Sequence, residues 1–140
     1  GEYRIHEIKN KRVLATIKGS DKDEFLSLAK RLLGQGCTMI GTGGTAEYLN
    51  NHGVPCETIN KINETSPNII DKLKTQQIDL LINTPTKAND AQRDGFKIRR
   101  TAIEYGVEVL TSLDTLNAVL NIMEKDVNTR DLDIFDISKI

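Results

Sequence analysis

No surplus of charge marks this 140-residue chain: 19 Lys and Arg stand against 20 Asp and Glu, for a formal net charge of −1. A chain so balanced has no global field toward nucleic acid or an anionic membrane, and neither is expected as a partner. Recognition of an anion must then come from a few placed cations. Long apolar runs are missing as well, which excludes a membrane-spanning helix and the hydrophobic stretch of a secretion signal. Cysteine is sparse. Cys37 and Cys56 form no C-x-x-C pair and are too few for a disulfide framework, so reduced thiols in a cytoplasmic setting are expected, with a bridge between them as the alternative. Those cysteines and two separated histidines, His6 and His52, offer no metal-ligand spacing. Internal repeats, linkers and low-complexity segments are absent too.

The chain does have enough apolar residues, 38%, to bury the core of one domain. A single domain over 1–140 is expected, with a core of about 12–124 and an extension over 125–140. A start at Gly1 is expected of a piece of something longer, or of a tag-cleavage scar. Short β-like runs alternate with helical patterns. Val13–Ile17 reads as a strand ended by Gly19. Ser20 or Asp21 then caps a helix with apolar residues at Phe25, Leu28, Ala29, Leu32 and Leu33, stopped by Gly34 and Gly36. Thr38–Ile40 is the second strand, followed by a short helix with Ala46, Tyr48 and Leu49 that ends at Gly53. Pro55 opens a third strand, Cys56–Ile59, and Pro67 begins a helix with Ile69, Ile70 and Leu73. Asp79–Asn83, almost continuously apolar, fits a central parallel strand buried on both faces. Pro85 to Gly95 reads as a polar loop, 96–105 as a helix, Val107–Leu110 as a strand. Leu113, Leu116, Val119, Leu120 and Met123 mark the last helix, and Asp131–Ile140 an edge strand or docked extension. The alternation predicts an α/β three-layer sandwich, a mostly parallel five-stranded sheet with helices on both faces.

The most informative stretch is Gly41-Thr42-Gly43-Gly44-Thr45-Ala46. A strand that ends in glycines and hydroxyls and then opens a helix leaves backbone N–H groups at the positive end of the helix dipole, where a phosphate is favoured. A plain strand-to-helix turn is the alternative. Right-handed crossovers bring all strand C-termini to one edge, where open α/β sheets bind ligands. That edge gathers Lys18, Ser20 and Lys22; Thr42 to Thr45; Asn60 and Lys61; Asn83 and Thr84; Thr111 and Ser112. Ammonium groups with hydroxyls and an amide suit a phosphorylated ligand. Gly41-x-Gly43-x-x-Ala46 also matches a dinucleotide fingerprint, but the acidic residue needed about 20 positions on is replaced by Asn60-Lys61.

The segments Lys22-Asp23, Thr42 to Ala46, Asn60-Lys61, Pro67 to Asp71, Ile82-Asn83-Thr84 and Ile98-Arg99-Arg100-Thr101-Ala102 occur in one characteristic order. That order resembles the C-terminal allosteric domain of the carbamoyl-phosphate synthetase large chain, within the methylglyoxal-synthase-like superfamily. The likeness covers about residues 12–124. It implies the methylglyoxal-synthase-like fold and a non-catalytic regulatory domain that binds UMP, IMP or phosphoribosyl pyrophosphate. Carried over by position, it implies an effector site of Lys22, Thr42, Gly43, Gly44, Thr45 and Lys61 at the phosphate, Asn83 and Thr84 at the ribose or base, and Asp94 at a sugar hydroxyl. No cofactor is implied for the domain itself. The parent enzyme, an ATP- and Mg2+-dependent ligase with synthetase domains and a glutaminase subunit, would serve pyrimidine and arginine biosynthesis in the cytoplasm.

Two departures remove positive charge near the expected site. Where relatives often have Glu-Gly-Arg-Pro, this chain has Glu64-Thr65-Ser66-Pro67, and the family's Ser-Gly-Arg-Arg loop appears as Thr86-Lys87-Ala88-Asn89. The enzyme alternative is methylglyoxal synthase, which needs a carboxylate base and a histidine electrophile. That family's Gly-Asp-Gln-Gln turn is replaced by Ser66-Pro67-Asn68, and its histidine before the fourth helix by Ala91-Gln92-Arg93-Asp94. The cyclohydrolase domain of bifunctional purine-biosynthesis enzymes is a further relative, but the Asn60–Asp71 signature fits the synthetase better. A purely structural interaction domain would leave the clustered lysines without a role.

Overall fold

A computed structural model describes residues 8–85 and 89–125, with 89–91 by backbone alone. The tail over 131–140, His6 and the substituted loop at 86–88 lie outside the described residues. Five parallel strands form one sheet in the order β3-β2-β1-β4-β5. They are β1 (Arg12–Thr16), β2 (Thr38–Thr42), β3 (Cys56–Ile59), β4 (Leu80–Asn83) and β5 (Glu108–Leu110). The helices between them are α1 (Lys22–Gly34), α2 (Gly43–Asn51), α3 (Ile69–Lys74) and α4 (Asn89–Glu104), and residues 113–125 form a last helix, α5.

Period-two alternation sends successive side chains of each strand to opposite faces, and here both faces are apolar. Val13, Ala15, Met39, Leu80 and Ile82 pack with Phe25, Leu28, Ala29 and Leu32 of α1, Ala46 and Leu49 of α2, and the apolar face of α5. Leu14, Ile40, Ile59 and Leu81 pack on the other side with Ile69 and Leu73 of α3 and Ile98 and Ala102 of α4. Each of the larger ones (Val, Leu, Ile, Met and Phe), fully buried, contributes about 1.5–3 kcal/mol. β4 is buried at every position, as its apolar run requires, but the middle of the sheet is β1, flanked by β2 and β4.

Asp21 is the N-cap position of α1 as expected, and two other boundaries move. Neither Ser20 nor Asp21 caps α1 through its side chain; Gly19–Asp21 forms a 3-10 turn that leads into the helix. α3 starts after Asn68, whose Oδ1 accepts from the amides of Ile70 and Asp71, while Asp71 Oδ2 accepts from the Asn68 amide. Pro67 therefore sits in the turn ahead of this capping box. α4 begins at Asn89, so Asp94 and Gly95 are helical rather than part of a polar loop. Its first two turns carry no apolar stripe in the sequence, and a glycine interrupts them, which hides the helix from a reading based on apolar spacing.

Candidate functional site

The chain leaves β1 toward β2 and β3, then crosses back to β4 and β5 on the other side. Connections diverge at such a switch point and open a crevice beyond the strand ends. The crevice has a volume of about 340 Å³. Of the residues expected from the sequence, Lys22, Thr42, Gly44, Thr45, Lys61, Asn83, Thr84 and Asp94 line it together. Gly43 does not, although it is the first residue of α2. Lys18 reaches the lining, whereas Ser20, Asn60, Thr111 and Ser112 are not on it. Asn60 instead spends its amide on the carbonyls of Thr65 and Pro67, at 2.7 and 3.1 Å, and Ser112 Oγ accepts from the Thr115 amide at the start of α5.

Hydrogen bonds between loops hold the walls. Thr45 Oγ1 accepts from the Ile17 amide at 3.2 Å, and Thr84 Oγ1 from the Lys18 amide at 2.8 Å, and each hydroxyl keeps one donor of its own. Thr42 is the N-cap of α2, with extended backbone, and its side chain makes no capping bond, so the first-turn N–H groups receive no cap from it. Gly41 is needed behind this turn: a β-carbon there would come within 3.3 Å of both the Ala15 carbonyl oxygen and the Ala46 nitrogen.

Positive charge gathers where it is least compensated. The Lys22 ammonium lies beside Gly44, at the end of α2 that already carries about half a positive charge. Among the described residues, Lys22, Lys61 and Arg99 form no ion pair, and Lys18 has only Asp21 at 3.8 Å. Asp94 is the carboxylate on the described lining. Ile17, Ile62 and Ile98 add an apolar wall. Arg99 is the residue that sequence reasoning missed. It lies within a recognised motif, yet nothing in the motif tells which of Arg99 and Arg100 turns inward. Arg100 pairs outward with Glu104 at 3.5 Å, while Arg99 donates through Nη1 to Asn83 Oδ1.

No group of His, Cys, Asp and Glu among the described residues could hold a metal ion, and no described helix is long and apolar enough to cross a membrane. His52 stands away from the crevice at the end of α2, stacked on Tyr48 with ring centroids 4.2 Å apart.

Sheet order and crevice define the class: a parallel α/β domain with a cation-lined cavity at its switch point. A family model described as MGS-like domain matches residues 24–111, and the chain belongs to that family. It is 52% identical over 126 residues to the carbamoyl phosphate synthase large chain of Clostridium botulinum (strain Loch Maree / Type A3), a match that spans 90% of this chain and 12% of the relative. Similarity to the same protein of Clostridium perfringens (strain 13 / Type A) is 49% over 129 residues, 92% of this chain and 12% of the relative. With that of Clostridium beijerinckii it is 45% over 140 residues, 99% and 13%. The chain thus spans about an eighth of the length of these relatives. Among solved structures, methylglyoxal synthase from Elizabethkingia anophelis NUHP1 shares the fold, with a TM-score of 0.64 at 16% identity over 80% of this chain and 78% of that one.

Proposed function

We propose that the chain is the effector-binding regulatory domain of a carbamoyl-phosphate synthetase large chain, and that its crevice takes a nucleotide monophosphate or phosphoribosyl ligand. The observation that carries this reading is the meeting of Lys22, Lys61 and the uncapped N-terminus of α2 on one cavity, with no carboxylate paired to either lysine among the described residues. Like charges brought together repel, and a bound phosphate turns that repulsion into attraction. Thr42 and Thr45 add hydroxyl donors to the phosphate. Asn83, Thr84 and Asp94 line the crevice where a ribose or base would follow, and Ile62 and Ile98 offer an apolar surface to a ring.

In the parent enzyme, an ATP- and Mg2+-dependent ligase of the cytoplasm serving pyrimidine and arginine synthesis, the effector would act through the synthetase domains that a glutaminase subunit feeds. Its influence equals its differential affinity for two states of the enzyme, typically ~1–3 kcal/mol. Calorimetry with UMP, IMP and phosphoribosyl pyrophosphate tests the reading: heat of binding is expected for at least one, and none for all three overturns it. The lyase alternative is tested by incubation with dihydroxyacetone phosphate. The described lining supplies a carboxylate but no histidine, so no methylglyoxal is expected.

A further inference from the structure

The phosphate end of the crevice lies at the tip of β2, where Lys22, Gly44 and Thr45 meet. Arg99 lies at the tip of β4, beside Asn83. One strand, β1, separates the two, so the strand tips that carry them stand two strand spacings, roughly 10 Å, apart. The phosphate cradle and Arg99 thus belong to different strand tips. Arg99 is half-buried on the crevice wall, and its guanidinium has no carboxylate partner among the described residues. Asn83 holds it in place. The Asn83 amide donates through Nδ2 to Thr16 Oγ1 and accepts Arg99 through Oδ1, so both ends of the amide are committed. Gly95, one turn earlier on α4, leaves the necessary room: a β-carbon there would lie 3.0 Å from Arg99 Nη1 and 3.5 Å from Asn83 Oδ1.

We propose that Arg99 determines the specificity of the crevice by reading acceptor oxygens on the end of the ligand remote from its phosphate, and that Gly95 keeps the guanidinium within reach. This rests on the reading of the crevice as a site for a phosphorylated effector. One of the five guanidinium N–H groups is spent on Asn83; the rest form a planar fork that suits paired acceptors. Such acceptors occur on the carbonyl edge of a nucleobase and on a second phosphate. A sugar phosphate without either lacks a partner for Arg99.

Calorimetry of the 140-residue chain with ribose 5-phosphate, UMP and phosphoribosyl pyrophosphate tests this in wild type, Arg99→Gln, Arg99→Lys and Gly95→Ala. The wild type is expected to bind UMP or phosphoribosyl pyrophosphate more tightly than ribose 5-phosphate, and the preferred ligand tells base carbonyls from a second phosphate. Arg99→Gln should weaken that ligand by about 10- to 100-fold and leave ribose 5-phosphate nearly unchanged, as expected for loss of charge-assisted hydrogen bonds. Arg99→Lys should restore part of the loss, since it keeps the charge but not the fork. Gly95→Ala should fall between, with no drop in melting temperature. Unchanged affinity for UMP and phosphoribosyl pyrophosphate in Arg99→Gln, or an equal loss for all three ligands, overturns the role of Arg99 and leaves the effector site standing. Absence of binding by the wild type to all three, and to IMP as well, overturns both.

Discussion

The Lys22 ammonium lies so close to Gly44 that a β-carbon on residue 44 would come within 3.1 Å of Nζ. Gly44 therefore makes room for a cation at the start of a helix, a place where a cation is intrinsically unfavourable. Alanine in its stead raises helix propensity by up to about 1 kcal/mol and displaces only the flexible end of the lysine. Gly44→Ala should thus keep or raise the melting temperature while weakening inorganic phosphate binding by calorimetry. Loss of both together would show that the glycine serves the fold instead.

Lys22 and Lys61 have no ion-pair partners among the described residues, so their removal breaks no such contact there. Lys22→Ala and Lys61→Ala should each weaken UMP binding by ~1.5–3 kcal/mol, the worth of a hydrogen bond to a charged group. Melting temperatures without ligand should barely move. Titration calorimetry and a thermal melt read the two effects separately, and an unchanged affinity would remove the mutated lysine from the site.

At the opposite edge of the sheet, the Arg12 guanidinium grips Asp79 at 3.0 and 3.1 Å, and the Arg12 amide adds a bond of 2.8 Å. The guanidinium hydrogen bond holds the Asp79 carboxyl below the usual carboxylate range. A depressed folded pKa contributes stability that is present above the unfolded value, about 3.9, and is lost as pH falls through the folded one. The pair is largely solvent-exposed, so the effect is small. Asp79→Asn should lower the melting temperature by about 1–3 °C at pH 7, and the gap from wild type should close as the pH falls below the usual carboxylate range. A gap that persists at low pH would place the effect in packing.

Both cysteines are free and buried. Burial pushes the Cys56 thiol up to about 11 and raises Cys37 as well. Thiolate is the reactive form, so neither should react with a thiol reagent at pH 8 in the native fold, whereas denaturant should expose both. A thiol that reacts before unfolding would contradict this burial. No titratable thiol after unfolding would mean that the two had bridged.

The strands and the apolar faces of α1 and α5 could be read from the chain because burial demands a regular pattern there, period two in the sheet and 3.6 in the helices. The glycine–threonine turn was legible for a similar reason, since a strand-to-helix junction constrains its residues locally. The start of α4 was not. Residues 89–95 carry no apolar stripe, and Gly95 reads as the end of a polar loop when it in fact lies within the helix and makes space for Arg99.

Local order along the chain was enough to assign a parallel α/β domain and to place Lys22, Thr42, Thr45, Lys61 and Asn83 at or beyond the C-terminal ends of their strands. It was not enough to order the strands, because an alternating pattern is satisfied by many sheet arrangements. The order β3-β2-β1-β4-β5 opens the crevice between β1 and β4, and packing of α4 across it turns Arg99 inward and Arg100 outward. Propensity and periodicity act over a few residues. The Asn83–Arg99 contact joins two elements through a gap at Gly95, and that meeting exists only once the sheet has been assembled.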